Sequence, residues 1–360
     1  MALVLRRFPI RFLVAFPLSL VLTVGVVAQT KMLHVDKPVK LDFHLRSDDE
    51  GPSNDSMCDK SGKIFVTISD GISDDRFDRP LLKFDKSGAF KAEFPTSRKS
   101  LGLSDYEDHH EPSALLPDGG IARLVWSRDG MSLARFTAEG KLESRTKLDG
   151  PAHPMTLPYQ MAVFPSGEIL VSGLENCRSV RCYGPFKSFT AIYDQAGHLL
   201  KRLAIREDDE IDAAAEIGDS RYASGPMYGN RAVAGGKIRL GDDGNAYLMR
   251  RTSPATVYVI SSSGDLIRTV KIRPARDGWA SVDMQVSGER IAVEFSDCSA
   301  ARCDGSVFAV ANAVSGERLT DYADEPRLGT LTCYSSAPER FTFLTVSKDN
   351  VLQVINAETK

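Results

Sequence analysis

Asp108-His109-His110-Glu111 sets two imidazoles between two carboxylates, the densest run of metal-ligating and acid–base side chains in the sequence. Neutral imidazole and carboxylate are ligands zinc accepts, and a catalytic zinc needs several such ligands plus one open position for water. His153 is the further histidine that falls near this run. His34, His44 and His198 belong to the N-terminal segment or to an outer turn. No H-x-E-x-H-like spacing accompanies the cluster, and solvated histidines in a polar loop account for the same residues. Asp70 to Asp78 spaces carboxylates near the interval of a calcium loop, without the glycine at the sharp turn or the closing glutamate. No G-x-S-x-G elbow, H-E-x-x-H helix or P-loop occurs.

A second set of side chains suits binding rather than bond-making. Tyr106, Tyr159, Tyr222, Tyr228, Arg276 and Trp279 are the aromatic and guanidinium anchors on which peptide and sugar surfaces rely, although each could equally pack a hydrophobic core. The cysteines form a third. Cys177 and Cys182 share the C-x4-C spacing of Cys298 and Cys303, and the matched positions predict two disulfides that staple loops. Cys58 and Cys333 remain as a third pair or as buried thiols.

What must position these groups is a repeated strand unit. Five segments share an apolar strand, a polar turn closed by glycine and a second strand, with the glycines at Gly88, Gly140, Gly197, Gly264 and Gly316. A hairpin precedes each, as in ALLPDGGIARLVW (Ala114 to Trp126) and MAVFPSGEILVSG (Met161 to Gly173). Two hairpins make a four-stranded antiparallel blade, and the count predicts an all-β, six-bladed β-propeller. The blades fall at about 55–95, 112–149, 158–206, 236–273, 280–323 and 328–360. The sixth copy, starting at Val351, stops at Lys360 where its outer turn would close. Val39 to Leu45 has no nearby hairpin partner and is expected to supply the missing outer strand, closing the ring and covering its last edge. Cys58 and Cys333 would then lie on neighbouring innermost strands.

The connections between blades, and those from second to third strands, emerge on one face around the central channel. That face carries the histidine run, His153 and the insertion Arg206 to Gly235, in which Glu207 to Ile217 reads as a short acidic helix. The opposite face has tight turns. Aligning the first hairpins by their glycines and counting eight residues back gives Asn54, Glu111, Tyr159, Gly236 and Ala280, a mixed ring rather than a carboxylate-rich cage.

Arg6, Arg7 and Arg11 followed by an apolar run to Ala28 read as a signal peptide, residues 1–28, cleaved before Gln29. Residues 29–360 are then one exported domain, secreted or periplasmic, where thiols tend to pair. Its 42 basic and 48 acidic residues give a net charge near −6, with no Lys/Arg block to draw nucleic acid. No stable membrane insertion is expected once the leader is removed.

The Asp-x-x-Gly units, best seen at Asp85 to Gly88 and Asp194 to Gly197, resemble those of the bacterial six-bladed propellers of the NHL and TolB-like type over nearly the whole mature chain. That resemblance implies architecture, since such propellers host binders, lyases, lactonases and scaffolds alike. The first expectation is a ligand-binding or protein-interaction scaffold without a cofactor or resident metal. Its partner would be a peptide, protein, envelope polymer or small ligand, met at the channel mouth by His109, His110, Glu111, His153, Tyr159, Tyr222, Tyr228, Arg276 and Trp279. The alternative is a metal-dependent lyase or hydrolase using the same mouth.

Overall fold

The outer turns show why an aspartate opens them and a glycine closes them. In the computed structural model, Asp85 Oδ1 accepts hydrogen bonds from the amides of Ser87 at 2.9 Å and Ala89 at 3.1 Å. Gly88 N–H donates to the Asp85 carbonyl at 2.9 Å, and Gly88 takes the left-handed φ of +88° that ends the reversal. Thr137, Ser261 and Asn312 do the aspartate's work in other copies, each accepting backbone amides of its own turn. The glycines also let neighbouring blades touch. A Cβ on Gly140 would stand 2.1 Å from the Glu93 carbonyl oxygen, so the outer turn of blade 2 lies directly on the outer strand of blade 1. Gly88 approaches the carbonyl of Lys40 in the same manner, 2.3 Å from where a Cβ would sit. The N-terminal segment therefore occupies the place of a preceding blade's outer strand.

The structure describes residues 30–46, 49–52, 55–70, 80–95, 100–102, 112–127, 130–150, 156–175, 187–205, 236–276, 279–297, 304–323 and 328–359. From the inner edge outwards, blade 1 is Met57–Cys58, Ile64–Val66, Leu81–Phe84 and Phe90–Phe94. Blade 2 is Ser113–Leu115, Ile121–Ser127, Gly130–Phe136 and Leu142–Lys147; blade 3 is Thr156–Val163, Ile169–Glu175, Lys187–Tyr193 and Leu199–Arg202. Blade 4 is Lys237–Leu240, Ala246–Arg250, Ala255–Ile260 and Leu266–Ile272; blade 5 is Ala280–Ser287, Arg290–Asp297, Asp304–Asn312 and Arg318–Ala323.

Blade 6 contributes Thr330–Ser336, Glu339–Val346 and Val351–Glu358, and takes its outer strand from the other end of the chain. Val39–His44 pairs antiparallel with Val351–Glu358 through Val39↔Val354, Lys40↔Gln353 and His44↔Val351. His34–Val35 continues the same edge opposite Glu358 and Ala357, so the closing strand begins earlier than its apolar alternation indicates. Before it, Thr30–Met32 lies parallel to Arg318–Ala323 as a fifth strand on blade 5. One N-terminal segment thus covers the outer edges of two blades. A small further sheet pairs Asp49–Pro52 with Ile68–Asp70.

Between adjacent blades lie six hydrophobic clusters, one for each junction. Alternation along a strand decides which junction a side chain enters: in blade 3, Ile169 and Val171 face blade 2, while Leu170 faces blade 4. Blade strands are buried on both faces, which is why they read as nearly continuous apolar runs. The closing cluster joins Leu41 and Leu45 to Ile64, Val66 and Leu82 of blade 1 and to Leu344, Leu352 and Val354 of blade 6. Cys58 and Cys333, on the innermost strands of those same blades, form a disulfide with Cα atoms 5.9 Å apart. The Cys177–Cys182 and Cys298–Cys303 pairs and the helix expected at Glu207 to Ile217 lie outside the described residues, which contain no helix.

Polar clamps cross some junctions as well. Glu339 of blade 6 accepts hydrogen bonds from Tyr334 and, across the junction, from Arg290 and Tyr322 of blade 5. Burial, reinforced by the neighbouring Glu339 carboxylate, raises the ionisation of Tyr322 and Tyr334 far above the ordinary phenol value of 10.0. In blade 4 burial and Asp243 push Tyr247 up to about 12. Each phenol therefore ionises later in the fold than in the unfolded chain. The stability carried by that difference is intact below pH 10 and falls as pH rises towards 12. Phenolate absorbance at pH 11 should report fewer ionised tyrosines in native protein than in urea, with a lower urea midpoint than at pH 9. Full ionisation of every tyrosine in native protein at pH 11 would contradict these clamps.

Candidate functional site

The innermost strands meet in sequence around the ring, blades 2 to 3, 3 to 4, 4 to 5, 5 to 6 and 6 to 1, so blades 1 and 4 stand opposite each other. Lys237 opens the inner strand of blade 4, at the end away from its tight turn at Gly241 to Asn245. Its ammonium lies 3.4 Å from Oδ1 of Asp55, which precedes the inner strand of blade 1. That contact spans the axis of the propeller, and Lys237 is only 2% exposed there.

A layer of charge surrounds this pair. Asp283, on the inner strand of blade 5 and 1% exposed, lies 4.0 Å from Lys237 Nζ and 3.6 Å from Arg239 Nη2. Arg239 Nε donates to Gln285 Oε1 at 3.2 Å, and Gln160 of blade 3 accepts from the Ile238 amide at 3.4 Å. Arg251 donates to the Val282 carbonyl at 3.2 Å. Burial pulls the Arg251 guanidinium below its ordinary value, opposed by the fields of Asp283, Asp55 and Glu294. Arg250, fully buried, reaches back to blade 3 and donates to Ser172 Oγ at 3.0 Å and Thr190 Oγ1 at 2.9 Å.

Burying so many ions costs several kcal/mol each unless partners and hydrogen bonds compensate. Among the described residues this compensation is incomplete. Arg239 Nη2, Arg251 Nε, Gln285 Nε2 and Asp283 Oδ2 are buried without a hydrogen-bond partner among the described residues. Donors left unmatched among the described residues are suited to receiving an acceptor from outside them.

Of the residues singled out from sequence, Arg276 and Trp279 come together, the guanidinium 5.1 Å from the indole centroid. Trp279 is 9% exposed and packs in the cluster between blades 4 and 5, so its core role is the one observed. Tyr159 is half-buried in blade 3, at the bulge between Pro158 and Gln160. His109, His110, Glu111, His153, Tyr106, Tyr222 and Tyr228 lie outside the described residues.

Sequence reasoning missed the axial layer by one residue. Counting seven rather than eight positions back from the hairpin glycines reaches Asp55, Pro112, Gln160, Lys237 and Ser281, three of which belong to the layer just described. The available signal was period-two charge in an otherwise apolar strand: Lys237 and Arg239 in KIRL, Asp283 and Gln285 in VDMQV.

Comparison with solved structures fits the same architecture. A candidate exported protein from Bacteroides fragilis superposes with a TM-score of 0.50 at 11% identity, covering 93% of this chain and 97% of its own. A protein of unknown function from Dyadobacter fermentans gives 0.50 at 13% identity, over 91% and 99%. At such identities the likeness shows the fold alone. No family model matches the chain, and no curated protein matches its sequence.

Proposed function

We propose that this chain is an exported β-propeller that works as a ligand-binding or protein-interaction scaffold, engaging its partner at the long-loop end of the central channel. The axial layer carries the reading. Lys237, Arg251 and Asp55 all sit at the strand ends opposite the tight turns, and the buried donors Arg251 Nε and Gln285 Nε2 meet no acceptor among the described residues. The described strands that close one blade and open the next, such as Leu199–Arg202 and Lys237–Leu240, terminate at that end, where loop sequence can vary without disturbing sheet packing. Export rests on the basic and apolar leader of residues 1–28 and agrees with the description of the Bacteroides fragilis structure.

A photo-crosslinking side chain in place of Tyr159, with a second variant at Asp242 in a tight turn, tests the face used. In protein expressed in its own host, the Tyr159 position should yield an adduct that Glu111→Ala diminishes while the melting temperature holds. Adducts from Asp242 alone would refute the assignment.

A further inference from the structure

The disulfide joins the first cysteine of the chain to the last. Cys58 and Cys333 are 275 residues apart, and Cys177, Cys182, Cys298 and Cys303 all lie between them in sequence. Cys177 and Cys182 stand less than half as far along the chain from Cys58 as Cys333 does. In an unfolded chain the frequency of contact falls with the three-halves power of the intervening length. Each of these two thiols therefore meets Cys58 about three times as often as Cys333 does.

The fold brings Cys333 to Cys58 late. Their strands, Met57–Cys58 and Thr330–Ser336, belong to blades 1 and 6, which become neighbours when the ring is complete. Completion requires Val39–His44 to pair with Val351–Glu358, the last strand of the chain. It also requires Leu41, Leu45, Ile64, Val66 and Leu82 to pack on Leu344, Leu352 and Val354. A chain oxidised before that point pairs Cys58 with an intervening cysteine, which keeps it from Cys333. The blade 1 half of the closing cluster then stays in water, an apolar surface that the finished ring buries.

We propose that this chain is a client of a thiol–disulfide isomerase, which acts on Cys58 while the ring is open. The first bond, Cys58–Cys177 or Cys58–Cys182, is made by the disulfide of an exported thiol oxidase, which takes the two electrons of the paired thiols. The isomerase thiolate attacks the Cys58 sulfur of that bond, joins it in a mixed disulfide and releases the other cysteine as thiolate. Closure brings Cys333 beside Cys58. The Cys333 thiolate then attacks the Cys58 sulfur, forming the native bond and releasing the isomerase thiolate, and the proton Cys333 loses goes to the freed cysteine. One disulfide is consumed and one is formed, so this exchange needs no further oxidant. The partner implied is an enzyme with a reactive thiol beside an apolar cleft, which holds the uncovered face of blade 1. From the reading above the proposal takes only that the chain is exported to where thiols are oxidised.

Non-reducing peptide mapping of residues 29–360, reduced and unfolded in urea, tests this. Oxidation with diamide before the urea is removed should join Cys58 to Cys177 and to Cys182 more often than to Cys333, by about threefold each. After dilution into glutathione buffer, purified protein disulfide isomerase should speed the appearance of Cys58–Cys333 by about tenfold, and the same enzyme with its active-site cysteines changed to alanine should not. With an isomerase lacking its second active-site cysteine, Cys333→Ala should hold more mixed disulfide at Cys58 than wild type. A Cys177→Ser/Cys182→Ser/Cys298→Ser/Cys303→Ser chain should form Cys58–Cys333 at one rate with or without enzyme. Cys58–Cys333 as the main product of oxidation in urea, its absence from every mixture, or equal rates with active and inactive enzyme would overturn the proposal. All three are read on wild type, whether or not the variants fold. Any of them would leave the long-loop assignment standing, whereas crosslinks from the tight-turn side would remove that assignment without touching this one.

Discussion

Protein lacking Lys37 to Leu45 should show no cooperative thermal transition. The deletion takes the outer strand from blade 6, exposing the hydrogen-bonding edge of Val351–Glu358. It also removes Leu41 and Leu45 from the cluster that joins blade 6 to blade 1. Burial of two leucines is worth about 3–6 kcal/mol, a large share of the 5–15 kcal/mol by which domains are stable. The same strand should restore folding if it is moved. Glu358 lies opposite His34 in the register, so residues 33–46 appended after the C-terminus through a short Gly-containing turn would form a hairpin with Val351–Glu358. A deletion variant that melts like the intact mature chain would contradict closure by this strand.

The second large effect belongs to Cys58 and Cys333. The bond closes a loop of 275 residues between the first and last blades, and in the chain-entropy model a loop that long restricts the unfolded chain by roughly 5 kcal/mol. Strand closure on the outside and the disulfide at the axis therefore secure one junction at two radii. A Cys58→Ala/Cys333→Ala protein should unfold at a markedly lower urea concentration than wild type, and reductant should bring wild type close to it. Equal midpoints for wild type and variant under oxidising conditions would mean the bond contributes nothing to closure.

The architecture was legible because its determinants are local. Asp85 and Gly88 form their turn from within one short segment, and strand alternation needs no knowledge of the partner. Closure was legible for a related reason: an orphan strand and an unfinished blade imply each other. Thr30–Met32 carried no such signal, since three residues in parallel register on blade 5 show no alternation to read. The axial site was hidden by distance and by register. Lys237 and Asp55 are 182 residues apart, and their meeting depends on ring geometry that no local pattern encodes. An offset of one residue exchanges the two faces of a strand, so an alignment centred on Tyr159 and Gly236 passed beside Gln160 and Lys237.

Blades 1 and 4 meet at the axis in a layer of coupled charge, and a double-mutant cycle on the Lys237–Asp55 contact tests this most directly. Unfolding free energies of wild type, Lys237→Met, Asp55→Asn and the double variant give the interaction energy free of each residue's other contacts. The axial pair predicts non-additivity of about 1 kcal/mol or more, with the double variant less destabilised than the sum of the single changes. Additivity within about 0.3 kcal/mol would show that the two side chains do not sense each other, and would contradict the site at the centre of this propeller.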